Sequence, residues 1–345
     1  MSEQPKPNLT FACTSLRITD KNGNVYQGRT LEFPESPLQT SVTYFPKGHV
    51  FQHLAEDNQT LGLKYEAKYP ILALTMPQNQ KELHDCLDGM NEAGLSFSLN
   101  MYHHKGLKAL DPSVYSQAVP YEALGEWALA NFASVAELRE GLKTAHIWSG
   151  IIEVLGLNSP FHFVFYDKAN ECIVVEIQDG ALAIYDNPIG VMTNGPEFPW
   201  HLTNLNNYTQ LTNLDVPAAK VGGLQLIQPD SGIATHNVPS SNTSVGRFVK
   251  AFYYSSFANQ VDSPDEQIVE LSHIMNNFDR PKNINLVNSV MNGQPVTVRE
   301  YTVWTTLKDL SRGYMYLRDY TKLNYTQYDF KQLASHTELY SVVIA

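Results

Sequence analysis

Cysteine is scarce in this chain. Its 345 residues include three cysteines, Cys13, Cys86 and Cys172, an odd number without a C-x-x-C pair. These counts argue against a disulfide framework and against a structural zinc site. His49 and His53 have H-x-x-x-H spacing, but HVFQHL is typical of a strand, in which four residues span about 13 Å. We therefore expect no bound metal and no cofactor.

Long apolar runs and an excess of basic charge are also missing. No run approaches the roughly 18 residues that cross a bilayer, and residues 1–12, MSEQPKPNLTFA, lack the apolar centre of a signal peptide. The formal net charge is −11, which argues against nucleic acid as a partner because nucleic acid selects basic surfaces. We expect a globular protein without stable membrane insertion. We place it in the cytoplasm, or in the periplasm if an export signal has been removed.

Short segments with strand-like patterns recur along most of the chain. The predicted strands are FACTSLRI, NVYQGRTLEF, SVTYFP, HVFQHL, ILALTM, GLSFSLNMY, FHFVFYD, CIVVEIQ, ALAIYD, TVWTTLKDL and YMYLRDY. Turn residues 20–24 join the first two strands as a hairpin, Lys47 and Gly48 repeat that pattern for the next two, and residues 311–313 join the last two. Short turns force antiparallel pairing, so a doubly wound parallel sheet is excluded.

Four further segments are typical of helices. Residues 120–132 and 245–257 have helical character. A capping box, SVAE at 134–137, opens another helix, and SPDE at 263–266 combines an N-cap serine with proline and glutamate in the first turn. We expect a single α+β domain in which helices cover antiparallel sheets.

Five segments in a fixed order carry a resemblance. They are ACTSLRI with DKNGNVYQGRTLEF, MNEAGLSFSLN, FHFVFYDKANECIVVEI, VMTNGPEFPWHLTNLNNY and GRFVKAFYY. In this order they resemble the choloylglycine hydrolase and penicillin V acylase family, N-terminal-nucleophile hydrolases of linear amide bonds. The resemblance implies a four-layer αββα fold with antiparallel sheets between helices. It also implies that residues 1–12 are a leader removed by self-cleavage and that residues 13–345 form one domain.

The resemblance further implies a catalytic group, which consists of Cys13, Arg29, Glu32, Asn100, Asn194 and Arg247. Cys13 matches the family nucleophile, which becomes the N-terminal residue, and the two arginines match positions that complete the group. Asn100 and Asn194 match the positions that stabilise the oxyanion. Glu32 stands where relatives usually carry aspartate, so its carboxylate reaches further by one methylene.

These residue types suit amide hydrolysis, which needs a strong nucleophile, a base and stabilisation of charge. A free α-amino group has a pKa of roughly 7.7–8.0 and a free thiol one of about 8.5. The amine of a released Cys13 would therefore be a suitable base beside its own thiol. The two arginines would favour the thiolate, and Glu32 could hold the amine by hydrogen bonding. The two asparagines offer amide N–H groups, or Asn100 its backbone N–H, to the oxyanion before water hydrolyses the acyl-enzyme.

The substrate implied by the resemblance is a small N-acyl amide. Conjugated bile salts, penicillin V and related acyl amides are candidates, and N-acyl homoserine lactones are the alternative within the same fold. Tyr44, Phe45, Tyr102 and Trp148 could line an apolar acyl pocket. The resemblance also predicts a homo-oligomer, a tetramer in many relatives.

Two hypotheses from other classes stay open at this point. The first is a conventional cysteine hydrolase, with an internal Cys13 activated by a histidine such as His162 or His236 and oriented by an asparagine. His162, in FHFVFY, is however typical of a satisfied core histidine. The second is an unprocessed binding protein that kept the fold and lost the activity.

Overall fold

The structure is a computed structural model that describes residues 12–35, 39–77, 84–152, 157–291 and 294–344. Its strands, in chain order, are β1 (Ala12–Thr19), β2 (Val25–Pro34), β3 (Thr40–Phe45), β4 (Val50–Leu54), β5 (Leu61–Glu66), β6 (Ile71–Pro77), β7 (His84–Asn91), β8 (Leu95–Met101), β9 (Ala118–Pro120), β10 (His146–Trp148), β11 (Ile151–Ile152), β12 (Leu157–Asn158), β13 (Phe161–Asp167), β14 (Cys172–Gln178), β15 (Ala181–Asp186), β16 (Ala218–Val221), β17 (Leu224–Ile227), β18 (Asn285–Met291), β19 (Gln294–Asp309), β20 (Tyr314–Asp319), β21 (Thr326–Asp329) and β22 (Tyr340–Ile344).

The α-helices are shorter in total than the strands. They are α1 (Leu124–Asn131), α2 (Val135–Leu142), α3 (Phe198–Asn204), α4 (Ser244–Ser256), α5 (Pro264–Asn276) and α6 (Phe330–Leu333). The longest, α4 and α5, have 13 residues each. Within the described ranges, no helix has both the length and the apolar character needed to cross a membrane.

Two antiparallel sheets form the centre of the molecule. The first has the order β1-β2-β19-β20-β21, with β18 also paired to β19, and the second has the order β15-β14-β13-β8-β7-β6-β3-β22. Helices α4 and α5 pack on β1, β2 and β19 of the first sheet, and α1 and α2 pack on β7, β8 and β13 of the second. Since β1 contacts β8 between the sheets, the order of layers is αββα, which confirms the predicted α+β architecture.

Apolar side chains fill the layers on both sides of the second sheet. One hydrophobic cluster joins the space between the sheets to the underside of α4 and α5 and includes Trp304. The other joins the outer face of the second sheet to α1 and α2 and includes Phe97, Phe163 and Phe165. Burying such side chains contributes roughly 1.5–3 kcal/mol each to folding. The catalytic candidates lie at the end of the space between the sheets.

The hairpin of β1 and β2 follows from local turn chemistry. Asp20 accepts hydrogen bonds at Oδ1 from the backbone N–H groups of Asn22 and Asn24, both at 2.9 Å, as an aspartate at a tight turn can. Gly28 in β2 lies directly under α5, where an added methyl group would come within 2.6 Å of Met275 Sδ. The absence of a side chain at Gly28 therefore lets α5 approach the strand that carries Arg29.

The predicted helix starts are confirmed. Ser134 Oγ accepts from the backbone N–H of Glu137 at 3.2 Å, and Glu137 Oε2 accepts from the backbone N–H of Ala133 at 2.8 Å. Ser263 Oγ accepts from the backbone N–H of Glu266 at 3.4 Å. Both helices thus begin where side chains satisfy otherwise unpaired N–H groups.

The second predicted hairpin is wrong. β3 and β4 are both strands, but β3 pairs with β6 and β22 whereas β4 pairs with β5. All six residues of β3 are buried, so this strand needs neighbours along both edges, and the apolar β6 supplies one of them. The prediction also missed β5 and β7. Cys86 is buried in β7, in the hydrophobic cluster that includes α1.

Candidate active site

The β1–β2 hairpin brings three of the predicted catalytic residues together. Its register pairs Ser15 with Arg29 and Ala12 with Glu32. Arg29 Nη2 lies 3.6 Å from Cys13 Sγ, and the Arg29 guanidinium lies 5.0 Å from the centre of the Trp304 ring. A guanidinium at this distance stabilises negative charge on the sulfur.

Arg29 is held from several sides. It donates to the backbone carbonyls of Leu87 and Leu99 in the second sheet, and its Nη1 lies 3.8 Å from the carboxylate of Asp88. Asp88 Oδ1 also receives Lys308 Nζ at 2.6 Å. Buried charges are tolerated when they are paired in this way.

Asp88 and Lys308 form a buried ion pair that the sequence reasoning missed. Both side chains are fully buried. Burial lowers the pKa of Lys308 to about 8, although the negative charge of Asp88 acts to raise it. Thr306 Oγ1 and Ser98 Oγ donate to Asp88 at 2.8 and 2.7 Å. The sequence contains a signal for this pair. Lys308 is the one charged residue among the first seven of TVWTTLKDL, and a lysine in a central strand requires a partner.

Asn194 contacts the backbone of Cys13. Its Oδ1 accepts from the backbone N–H of Cys13 at 2.9 Å and from Arg247 Nη2 at 2.7 Å. Its Nδ2 donates to the backbone carbonyl of Met101 at 2.9 Å. In this arrangement the amide oxygen of Asn194 faces the backbone nitrogen of Cys13, and the amide nitrogen predicted to stabilise the oxyanion is engaged by the Met101 carbonyl.

Arg247 lies in the first turn of α4 and reaches the same backbone. Its Nη1 donates to the carbonyl of Cys13 and, at 2.8 Å, to Thr14 Oγ1, while its Nε donates to the carbonyl of Asn242 at 3.0 Å. Burial lowers its pKa to about 10, although nearby Glu32 acts in the opposite direction. Arg247 is therefore charged at neutral pH and fixes the position of Cys13.

Glu32 has one carboxylate oxygen free among the described residues. Its Oε1 accepts from Thr302 Oγ1 at 3.0 Å, whereas Oε2 is buried without a hydrogen-bond partner in the described ranges. Burial raises the pKa of Glu32, while Arg280 and Arg247 act to lower it. A buried unpaired carboxylate oxygen is costly, so this atom is available to accept from a further donor.

Asn100 supports the Asn194 loop and does not point its amide nitrogen at Cys13. Its Nδ2 donates to the carbonyl of Thr193 at 2.8 Å and lies 3.4 Å from that of Met192. In this arrangement Nδ2 is engaged by backbone carbonyls, and an oxyanion role for the side-chain amide stays a prediction. The other part of the prediction, a role for its backbone N–H, stays a prediction.

The comparison with known proteins decides the family. A family model described as linear amide C–N hydrolases, choloylglycine hydrolase family, matches residues 13–340. The chain belongs to the choloylglycine hydrolase family. It is 30% identical over 312 residues to the bile salt hydrolase/transferase of Clostridium perfringens, with 89% of each chain covered. It is 23% identical over 258 residues to the penicillin V acylase of Pectobacterium atrosepticum, with 73% of this chain and 61% of that protein covered.

Solved structures agree with this family assignment. A variant of the conjugated bile acid hydrolase from Clostridium perfringens superposes with a TM-score of 0.80 at 26% identity, covering 96% of this chain and 97% of that one. The penicillin V acylase of Agrobacterium tumefaciens gives 0.71 at 22% identity, covering 95% and 90%, and supports the fold alone. This choloylglycine hydrolase family member is thus a hydrolase of linear amide C–N bonds with the N-terminal-nucleophile fold.

A cavity of about 950 Å³ opens beside Ala12, the residue that precedes Cys13, in this family member. It is lined by residues 101–103, 194–197, 242–244 and 284–287 with Ala12, Arg247, Arg280 and Glu300. Arg280 binds the carboxylate of Glu300 and donates to the carbonyl of Asn242 at 2.6 Å. A cavity of this size suits a ligand of several tens of atoms.

The predicted acyl-pocket residues do not all reach this cavity. Tyr102 lines it. Tyr44 packs in the cluster between the sheets, Phe45 in the cluster under α1 and α2, and Trp148 in a small cluster with Ala55. These three rings are in or at the end of buried strands, so they serve as core residues and are not part of the lining beside Cys13.

The proposed histidine bases lie away from the thiol. Both ring nitrogens of His162 contact other groups, Glu176 and the carbonyl of Thr193, which confirms that it is a satisfied core histidine. His236 is exposed on the surface loop that precedes α4. The geometry therefore gives no support to a conventional Cys–His pair around Cys13.

Proposed function

We propose that this chain is an amidohydrolase that cleaves N-acyl amides with the thiol of Cys13, which becomes the N-terminal residue when residues 1–12 are removed. The observation that carries this proposal is the set of contacts around one residue. Arg29 lies beside the sulfur of Cys13, Asn194 Oδ1 beside its nitrogen, and Arg247 beside its carbonyl. The family match also begins at residue 13.

Self-cleavage at this site is chemically reasonable. In the unprocessed chain Ala12 lines the cavity, so the peptide bond between Ala12 and Cys13 adjoins a space open to water. Attack of the thiol on the Ala12 carbonyl would give a thioester and free the Cys13 amine, and water would then release the leader. The new amine carries more hydrogens than the former amide, and Glu32 Oε2 is an acceptor without a partner in the described ranges.

Turnover would use the same groups. The free amine accepts the thiol proton, the thiolate beside Arg29 attacks the substrate carbonyl, and the protonated amine delivers the proton to the departing amine of the substrate. Water then hydrolyses the acyl-enzyme. If Asn194 stabilises the oxyanion with Nδ2, that nitrogen must give up or share its bond to the Met101 carbonyl.

The cavity supports an amide with a large acyl group. Ile284, Leu286 and Val287 supply apolar lining, and the Arg280–Glu300 pair adds polar groups on the same wall. The relatives are named for conjugated bile acids and penicillin V. We therefore propose a conjugated bile salt, penicillin V or a related N-acyl amide as the substrate.

The test combines intact mass with turnover. The mass of the purified wild-type chain should show loss of residues 1–12, and Cys13→Ala should retain them, because the thiol is the attacking group. Rates of amine release should then be measured on glycocholate, taurocholate, penicillin V and an N-acyl homoserine lactone. Substantial turnover by Cys13→Ala, or processing of this variant at the wild-type rate, would overturn the proposal.

A further inference from the structure

Two buried histidines hold the loop that carries Asn194. His162 Nε2 lies 3.0 Å from the carbonyl oxygen of Thr193, and His201 Nε2 lies 2.9 Å from the carbonyl oxygen of Asn194 itself. Both side chains are fully buried. A carbonyl oxygen can only accept, so both Nε2 atoms must carry a hydrogen. The two histidines thus fix the backbone on either side of the residue that contacts Cys13.

His201 needs only the single proton of a neutral ring. Its Nδ1 is buried without a hydrogen-bond partner among the described residues, and its ring stacks on Phe248 with the centroids 4.2 Å apart. Burial lowers the pKa of His201 to about 4. At neutral pH His201 is therefore the neutral tautomer with its hydrogen on Nε2.

His162 differs because its second nitrogen also faces an oxygen. His162 Nδ1 lies 2.9 Å from Glu176 Oε1. A neutral imidazole has one N–H and one lone pair, so with the hydrogen on Nε2 the Nδ1 lone pair would point at a carboxylate oxygen. Both contacts are hydrogen bonds only when the pair holds one further proton. The same loop therefore has one histidine that needs one proton and another that needs two.

The further proton belongs on the ring. The backbone N–H of Phe198 lies 3.0 Å from Glu176 Oε1 and 3.2 Å from Oε2, and an N–H donor stabilises the carboxylate form. His162 is then an imidazolium whose counter-charge is the buried Glu176. The imidazolium then makes a charge-assisted hydrogen bond to Glu176 through Nδ1 and a strengthened hydrogen bond to the Thr193 carbonyl through Nε2.

Other titratable groups surround the pair. They are Tyr102, Tyr121, Tyr185, His104 and His201. Burial and then the charge of Glu176 raise the pKa of all three phenols, that of Tyr102 to about 12. Burial, with a smaller contribution from His162, lowers the pKa of both histidines. At neutral pH none of these groups adds a charge that would replace the proton of His162.

We propose that His162 and Glu176 are positioning residues, and that a protonated His162 paired with ionised Glu176 holds the Thr193–Asn194 loop in its working position. The effect on turnover rests on the proposed function, whereas the protonation state does not. Without this proton, one ring nitrogen faces an acceptor without a hydrogen. The loop then shifts, and Asn194 moves relative to Cys13.

The first test measures protonation directly. Nitrogen NMR of the full chain labelled with ¹⁵N-histidine should show His162 with both ring nitrogens protonated at pH 7 and His201 with Nε2 alone protonated. His162→Gln and His201→Gln assign the two sets of signals. A His162 with a single protonated nitrogen at pH 7 overturns the proposal, and this outcome does not depend on whether any amide is hydrolysed.

The second test uses Glu176→Gln, whose amide nitrogen can donate to Nδ1 of a neutral His162 while its oxygen accepts from Phe198. This variant should retain most of the turnover at pH 7, and its kcat should change less with pH than that of the wild type. Glu176→Leu should lower kcat about 10²-fold with little change in KM, because misplacement of a catalytic group by about 1 Å has an effect of this size. Glu171→Gln, on an exposed neighbouring residue, is the matched control.

The outcomes separate the two proposals. Equal losses in Glu176→Gln and Glu176→Leu would overturn the positioning role. If Glu176→Leu does not fold, as a thermal melt would show, the pH profile of Glu176→Gln and the NMR signals of His162 still decide. If the wild type hydrolyses none of the amides tested, the proposed function fails, and the NMR result alone decides the protonation of His162.

Discussion

At the scale of single residues, every polar group of Cys13 has a designated neighbour. The sulfur lies beside Arg29, the nitrogen beside Asn194 and the carbonyl beside Arg247. Two of these neighbours are linked to each other, since Arg247 also donates to Asn194. A change in one of them should therefore affect the position of Cys13 as well as the charge on its sulfur.

Asn194 has an acceptor role and a donor role, and two substitutions separate them. Asn194→Asp keeps oxygens for the Cys13 N–H and for Arg247 but removes the Nδ2 donor. Asn194→Gly removes both. If Nδ2 serves the oxyanion, both variants should lose roughly 10²-fold or more in kcat. The thermal midpoint should fall in both, because Asn194→Gly leaves Arg247 with one acceptor fewer and Asn194→Asp sets a carboxylate oxygen against the Met101 carbonyl. Normal kcat in Asn194→Asp would contradict a donor role. Steady-state rates and thermal melts make the measurement.

Glu32 can be tested by charge and by length. Glu32→Gln keeps the size of the side chain and removes the charge that the free amine of Cys13 would meet, so we expect slow processing and a kcat reduced by about 10²-fold or more. Glu32→Asp restores the residue usual in relatives and should retain most of the activity. Intact mass and turnover report the two steps separately. Wild-type processing and turnover in Glu32→Gln would show that the carboxylate is not needed.

At the scale of elements, the two sheets are joined by charge as well as by apolar contacts. Lys308 of β19 reaches Asp88 of β7 across the interface, directly behind Arg29. Gln27 Oε1 also receives Lys308 Nζ at 3.1 Å. The strand that carries Arg29 is thus tied to the opposite sheet by a polar network that apolar packing alone would not specify.

The Lys308 pair predicts a pH dependence of stability with a definite sign. Its pKa is about 8 in the folded chain and near its ordinary value of 10.5 when unfolded, so between these values the unfolded state binds more protons. Stability from this group therefore rises with pH in that window, by up to roughly 1.4 kcal/mol per pH unit. The free energy of unfolding, measured with urea at pH 7.5, 9 and 10, should rise with pH in the wild type relative to Lys308→Met.

The control for this measurement is Lys21→Met, because Lys21 makes an exposed ion pair with Asp262. Exposed ion pairs contribute little to stability, so the difference in the free energy of unfolding between this variant and wild type should stay constant over the same pH range. If the difference in the free energy of unfolding between Lys308→Met and wild type were constant as well, burial would not lower the pKa of Lys308 in the folded chain.

At the scale of the whole molecule, one hairpin stands apart from the two-sheet body. Every residue of β16 and β17 is exposed, and Val221, Leu224 and Ile227 are each more than three-fifths exposed. A two-stranded hairpin is marginally stable alone, and clustered exposed apolar side chains mark interaction surfaces. We propose that a second copy of the chain covers this hairpin, in line with the predicted homo-oligomer.

Light scattering after size exclusion tests the oligomer. Wild type should elute as an oligomer, a tetramer by the family resemblance, and Leu224→Asp with Ile227→Asp should shift it towards the monomer, because the charges would be buried in the contact. Val269→Asp places the same charge on an exposed apolar position of α5 and should leave the mass unchanged. A wild-type monomer at micromolar concentration would contradict the proposal.

The sequence by itself determined the local features of this protein. The turn at residues 20–24, the caps at Ser134 and Ser263 and the alternation of the strands act over a few residues, and the ordered family segments identified Cys13 and its companions. Tertiary structure alone decided the partners. It placed β3 between β6 and β22, moved Tyr44 and Phe45 into the cores, and joined Asp88 to Lys308 across 220 residues of chain. The reason is physical, since turn and cap energies depend on neighbouring residues, whereas strand order and buried charge pairs depend on which distant surfaces pack together.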